Sequence, residues 1–258
     1  MALKLVLLCL LCLGWTSTAI IILTVNLLIS TFGRKFFAGF CSKFAEDYNG
    51  VSHSLKVELF KELNEMKPGE KISILEVGAG PGANFKYYNR PAAIQSVEPN
   101  LQFESYFNDN RAKYPNLDIQ PIKEGFGEDL GRAGIADNSC DAVVVTLVLC
   151  SVTDQLQCIQ EIKRVLKPGG KFFYMEHIAA ADGSRLRLLQ NFLMLGGFWP
   201  FMVDGCCVDR ATDLTMASAG FSQLNQRKYD LPIPEEANII FKLCGNVIKP
   251  HVMGVASK

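Results

Sequence analysis

Leu75-Glu76-Val77-Gly78-Ala79-Gly80-Pro81-Gly82 is the stretch that decides the fold. An apolar run from Ser73 to Val77 stops at glycines spaced two apart. The run reads as a buried β-strand. The glycines let the next turn bend tightly and approach a ligand closely. A short helix is expected after them. The same alternation continues downstream. A second strand spans Ile94 to Val97 and closes on Glu98-Pro99. A third lies near Asp118 to Ile122, and a fourth runs from Ala142 to Val148. The fourth is continuously apolar, as expected where both sheet faces are covered. A helix then starts at Thr153 as N-cap, with Asp154 in its first turn. It carries Leu156, Ile159, Ile162 and Val165 inward, and Lys167-Pro168-Gly169-Gly170 stops it. A fifth strand covers Lys171 to Glu176, and late strands near Gln223 to Lys228 and Ile239 to Leu243 bring the expected total to seven. Strand–helix alternation of this kind means an α/β fold with a doubly wound, mostly parallel sheet.

Composition narrows the function. The chain has 258 residues, 26 basic and 26 acidic, and 49% are hydrophobic. That size fits one full α/β domain and excludes a disordered chain or a collagen-like fibre. Neutralising phosphates needs an excess of Lys and Arg that is missing here, so no nucleic-acid partner is expected. A small-molecule, lipid or protein partner remains. The nine cysteines are odd in number. Cys9 and Cys12 form a CxxC, but inside an apolar run. No paired CxxC and no Cys/His ligand spacing occurs, so no metal is expected. Reduced thiols in a reducing compartment are expected instead.

From Leu5 to Gly33 the chain carries no charge, a run longer than the roughly 20 apolar residues of a bilayer crossing. A signal peptide would end near Ala19, yet the apolar run continues through Ile20-Ile21-Ile22-Leu23 to Ile29. A retained hydrophobic membrane anchor over residues 1–33 explains the whole stretch. Thr16, Ser17, Thr18 and Asn26 interrupt it, so a monotopic insertion stands beside a full span. Arg34, Lys35 and Lys43 follow the run, which favours a cytosolic domain behind it. Residues 34–70 read as a helical, membrane-proximal lid, with Phe36, Phe37, Phe40 and Phe44 at helical spacing and Leu55, Leu59 and Leu63 on a second stripe. Residues 71–258 form the main domain.

A GxG turn alone does not separate nicotinamide cofactors from S-adenosyl-L-methionine (SAM). Glu76 precedes the glycines, the turn lacks the third glycine of GxGxxG, and Glu98 at the end of the second strand can accept both ribose hydroxyls. Gly127-Glu128-Asp129-Leu130, Asp141 and Leu166-Lys167-Pro168-Gly169-Gly170 follow. Together they resemble class I SAM-dependent methyltransferases.

The resemblance tightens along the chain. Leu75-Glu76-Val77-Gly78 with Gly82-Ala83-Asn84-Phe85-Lys86, Thr146-Leu147-Val148-Leu149-Cys150-Ser151-Val152, Met175-Glu176-His177, Asp204-Gly205-Cys206 and Pro250-His251 look like the methyltransferase-like seven family. Its members are membrane-anchored thiol methyltransferases of the endoplasmic reticulum and lipid droplets. The resemblance implies a Rossmann-like fold, SAM as cofactor, a small lipophilic thiol as substrate, membrane lipid as partner of the anchor, and residence on the cytosolic face of those membranes. It implies cofactor contacts from Glu76, Gly78, Gly80, Gly82, Glu98, Pro99, Asn100, Gly127, Glu128 and Leu147. This chain departs from the family pattern in its turn, where Pro81 removes one backbone donor. It also has Glu98 in place of the family's Asp, and Phe126 where relatives in the wider superfamily carry an acid.

Methyl transfer from a sulfonium is an in-line displacement with a neutral leaving group, so the protein must align, exclude water and accept the nucleophile's proton. His177, after the fifth strand, is the candidate general base, and Cys150 and Asp204 join it as candidate catalytic residues at the same sheet edge. Tyr48-Asn49 could cover the methionine end of the cofactor. The apolar insertion from Leu186 to Val203 could form a lid for lipophilic substrates. Methylation of oxygen or nitrogen on a lipid or quinone-like molecule, and a non-catalytic membrane or lipid-droplet protein with a vestigial SAM pocket, stand as alternatives.

Overall fold

The structure is a computed structural model that describes residues 33–258. The expected anchor therefore lies outside the described residues, apart from Gly33. Among the described residues no helix is long and apolar enough to cross a membrane. Helix α1 covers residues 33–51 and α2 covers His53–Glu65, so the expected helical section is two helices that meet at Ser52.

The strands are β1 Ile72–Val77, β2 Ala92–Glu98, β3 Asp118–Ile119, β4 Lys123–Glu124, β5 Cys140–Thr146, β6 Leu166–His177, β7 Gln223–Asp230 and β8 Pro250–Ser257. The remaining helices are α3 Glu104–Arg111, α4 Gln155–Val165, α5 Arg185–Met194, α6 Phe198–Met202, α7 Thr212–Ser218 and α8 Ile239–Val247. The strands form one sheet in the order β3-β2-β1-β5-β6-β8-β7, with β4 also on β2. The pairs among β1 to β6 are parallel, and β8 runs antiparallel between β6 and β7. The order reverses between β1 and β5, the switch point where open α/β sheets bind ligands.

Successive strand residues face opposite sides, and both sides are packed. Ile74, Val144, Phe173 and Met175 meet Leu59, Phe60 and Leu63 of α2 and Phe241 of α8. Leu75, Val143, Val145 and Phe172 meet Ile159, Ile162 and Val165 of α4. Buried Arg90 ties α2 to the sheet, its guanidinium donating to the carbonyls of Leu63, Asn64, Met66, Lys67 and Glu70. At the N-terminal edge of the sheet, Asp141 accepts from Lys67, Lys167 and Ser73. Burial opposes its charge, but the two lysines outweigh that and hold its carboxyl well below the usual range.

Several expectations are corrected. The third strand is two short strands, so the sheet has eight strands rather than seven. Ile239 to Leu243 is helix α8, because Asn238 accepts the N–H of Phe241 and caps it. The cap of α4 is Asp154, not Thr153, and Leu156 is exposed. Strand β5 ends at Thr146, and Leu147 turns left-handed. Lys167 to Gly170 belong to β6. Strand β8 was not foreseen. Its Gly254 lies where a Cβ would come within 2.6 Å of the Asn225 carbonyl and 2.7 Å of the Tyr174 hydroxyl. Gly254→Ala therefore destabilises the domain by about 2 kcal/mol. Urea unfolding checks this, and an unchanged midpoint contradicts the packing at this strand.

Candidate active site

The cleft opens at the C-terminal ends of β1, β2 and β5, under α1. Its volume is about 360 Å³, within the range of small-molecule sites. The central feature is Glu98. Its Oε2 accepts the Gly80 N–H at 2.9 Å, and its Oε1 accepts the Asn100 N–H at 3.0 Å. Burial pushes its carboxyl up to about 7, against the pull of those two N–H groups. Gly80 has φ +50, and a Cβ built there would meet nothing closer than the Phe103 ring at 3.9 Å. The conformation needs glycine, and the space above it is open.

The turn spends its own donors internally. Gly78 and Ala79 donate to the Val97 carbonyl, Gly82 donates to Ala79, and Pro81 has no N–H. The turn therefore has few free N–H groups for the carboxylate of a cofactor's amino-acid end, and a side-chain donor lies nearby. Lys56 of α2 lines the cleft and is fully buried. Its Nζ donates to Asn84 Oδ1 at 2.7 Å, and Asn84 Nδ2 donates to Glu76 Oε1 at 2.8 Å and Thr146 Oγ1 at 3.1 Å. Burial pulls the Lys56 ammonium down to about 7, while Glu76 nearby pulls upward. The sequence reading missed Lys56. The signal was present: a lysine four residues before Phe60 and seven before Leu63, on the buried face of α2.

The expected cofactor residues divide. Gly78, Gly80, Glu98, Pro99, Asn100, Gly127, Glu128 and Leu147 line the cleft. Glu76 and Gly82 do not. Glu76 acts through Asn84, and Gly82 packs under the Phe85 ring. Tyr48 and Asn49 line the cleft from α1, as expected for a cover. Asn49 donates to Ala83 at 2.8 Å, while its buried Oδ1 has no partner. An open glycine cradle, a buried carboxylate at the end of β2 and an orphaned amide oxygen fit an adenosyl cofactor with an amino-acid tail.

Of the expected catalytic residues, only Asp204 lines the cleft. It is left-handed at φ +45 and accepts from Asn100 Nδ2 at 3.3 Å. The structure places His177 and Cys150 behind the cleft lining, buried beside Cys206. Cys206 and burial push the Cys150 thiol well above its usual range. Leu147, also left-handed at φ +57, marks the other strained backbone point of the cleft wall. Glu176 supports the turn that follows Leu147, accepting the Val148 N–H at 2.9 Å.

Residues 75–174 match the family model described as a methyltransferase domain. The chain is 35% identical to human thiol S-methyltransferase TMT1A, over 87% of both chains. It is also 35% identical to thiol S-methyltransferase TMT1B of Rattus norvegicus, over 80% of this chain and 79% of the relative. Among solved structures, a SAM-dependent methyltransferase of Thermotoga maritima, titled a possible histamine N-methyltransferase, shares the fold. Its TM-score is 0.55 at 18% identity, over 86% of this chain and 98% of that one. The glycine turn, the Glu98 clamp and this near full-length identity lead to one assignment: the chain belongs to the thiol S-methyltransferase family, within the class I SAM-dependent methyltransferases.

Proposed function

We propose that the protein methylates small lipophilic thiols, hydrogen sulfide included, with SAM as donor. The observation that carries this is the identity to thiol S-methyltransferases across nearly the whole chain, joined to a cleft whose buried carboxylate sits where a ribose is held. SAM, when bound, supplies an electrophilic methyl on a sulfonium. The chain's residues do the rest. Glu98 accepts from the ribose hydroxyls, Gly127 and Glu128 border the adenine, and Lys56 faces the cofactor's carboxylate. The thiol sulfur would form the new bond to the methyl carbon as the methyl–sulfonium bond breaks and S-adenosylhomocysteine leaves, and its proton would pass to Asp204. Only a modest base is needed, because a thiol of pKa near 8.5 is already a few per cent thiolate at neutral pH.

An exposed apolar surface supports a lipid partner. Leu188, Phe192, Leu195, Phe201, Ile239 and Leu243 of α5, the turn after it, α6 and α8 are each more than 60% exposed. Such a patch marks an interaction surface. It would lie on the membrane, on the cytosolic face of the endoplasmic reticulum or on lipid droplets. The free thiols of all seven cysteines among the described residues agree with a reducing compartment. Phe192→Ser with Ile239→Ser and Leu243→Ser is expected to lower co-flotation of the full chain with phosphatidylcholine vesicles. Unchanged flotation removes these helices from the membrane contact.

Incubation with an alkyl thiol, sulfide and a phenol, read by mass spectrometry of the methylated product, tests the activity. Turnover of the thiol and not of the phenol is expected. Methylation of the phenol alone overturns the reading in favour of an O-methyltransferase. In the same assay Asp204→Asn lowers turnover about 10²-fold. The deficit narrows as pH rises toward the thiol's own pKa of about 8.5.

Calorimetry with S-adenosylhomocysteine tests the cofactor assignment. Glu98→Ala loses binding and keeps the fold. In the wild type the Glu98 carboxyl, raised to about 7, is protonated below that pH and loses acceptor capacity, so affinity for 5′-methylthioadenosine, which offers Lys56 no carboxylate, tightens as pH rises through about 7. Glu98→Gln removes that rise. Lys56→Met weakens S-adenosylhomocysteine about 10-fold and leaves 5′-methylthioadenosine, which lacks the amino-acid end, unchanged. Equal losses for both ligands mean Lys56 supports the cleft without facing the carboxylate.

A further inference from the structure

Behind the cleft wall three chemistry-bearing side chains converge that the proposed reaction leaves unused. Cys150 follows β5, His177 ends β6, and Cys206 follows the left-handed Asp204–Gly205 turn. One candidate ligand atom from each lies within 4.8 Å of the other two, and all three residues are buried. The Cys206 sulfur is 3.3 Å from His177 Nε2. His177 Nδ1 has no hydrogen-bond partner, and with Nε2 bound to a metal it would carry the ring proton.

The backbone around the trio is held. Cys207 donates to the Cys150 carbonyl at 2.9 Å, Cys206 to Val203 at 3.0 Å, and Gly205 to Pro200 at 2.7 Å. Arg210 donates to the Leu149 carbonyl at 2.7 Å. The surroundings are apolar: Val208, Val247 and Ile248, with Met194 and Trp199 packed against them. The immediate neighbours Ser151 and Gly205 line the cleft, so the trio sits one residue behind its wall.

We propose that Cys150, His177 and Cys206 form a zinc(II) site. Two thiolates and one imidazole are the donors that select a soft or borderline cation. Cys₂His is a known three-ligand zinc set, in which the fourth position is left to water or an outside donor. Charge decides between ions. Two thiolates with zinc(II) make a neutral unit, which an apolar pocket tolerates. With copper(I) the same ligands carry a net negative charge that burial penalises. Binding releases the two thiol protons to solvent as the two zinc–sulfur bonds form, with no change of oxidation state. No spacing motif announced the site, because its ligands come from three elements far apart in the chain.

The test is metal analysis of the full-length chain, grown with zinc and freed of any histidine tag. About one zinc per chain is expected. Cys150→Ser and Cys206→Ser should each lose it, while Cys140→Ser, at the opposite end of β5, should keep it. Cobalt(II) titration of reduced wild-type protein guards against variants that fail to fold. A thiolate-to-cobalt charge-transfer band with tetrahedral ligand-field absorption supports the site. Zinc that persists in both serine variants, or a wild type with neither zinc nor the cobalt band, overturns the proposal and leaves a thiol–imidazole hydrogen-bonded cluster.

Discussion

Two N–H groups, those of Gly80 and Asn100, converge on the carboxylate of Glu98. The first belongs to the turn after β1 and the second to the turn after β2. The carboxylate therefore joins the ends of β1 and β2, beside the switch point between β1 and β5. The glycine turn can hold its left-handed shape because Glu98 receives the N–H that the turn cannot satisfy internally. The cleft above stays open because nothing but a backbone occupies the Gly80 position. Glu76, Asn84 and Lys56 extend the same polar floor toward α2, and Asp204 and Asn100 extend it toward the lid.

This arrangement is electrostatically tense. Glu98 and Glu176 are carboxylates in dry surroundings, and burial raises both to about 7. Lys56 is an amine in similar surroundings and is lowered to about 7. Such opposed shifts concentrate at sites built to receive charged ligands. Asp141 shows the contrast. It lies at the other end of the sheet with two lysines and is held below its usual range, as a structural ion pair is.

Much of the fold was legible because burial on both faces writes itself as apolar runs, and glycines mark the turn between β1 and the cleft. The residues expected on the cofactor side came from the family resemblance, and most of them line the cleft. The misses have physical causes. Ile239-Ile240-Phe241 is as apolar as a strand, and only the cap at Asn238 makes it a helix. Strand β8 has a histidine, a glycine and a proline in a short span, and it acquires its character from two flanking strands. His177 points into a buried cluster and not the cleft, because side-chain direction at a strand end depends on what packs behind it. Lys56 hid among leucines because a polar residue on an apolar stripe reads as an interruption.

Strand β8 lies between β6 and β7 and pairs with both. The sheet's interior is thus completed by residues 250–257. Without them β6 would present an unpaired edge and β7 would have no neighbour. An exposed edge of that kind templates pairing with other chains, so loss of this strand would turn a covered edge into a site of aggregation.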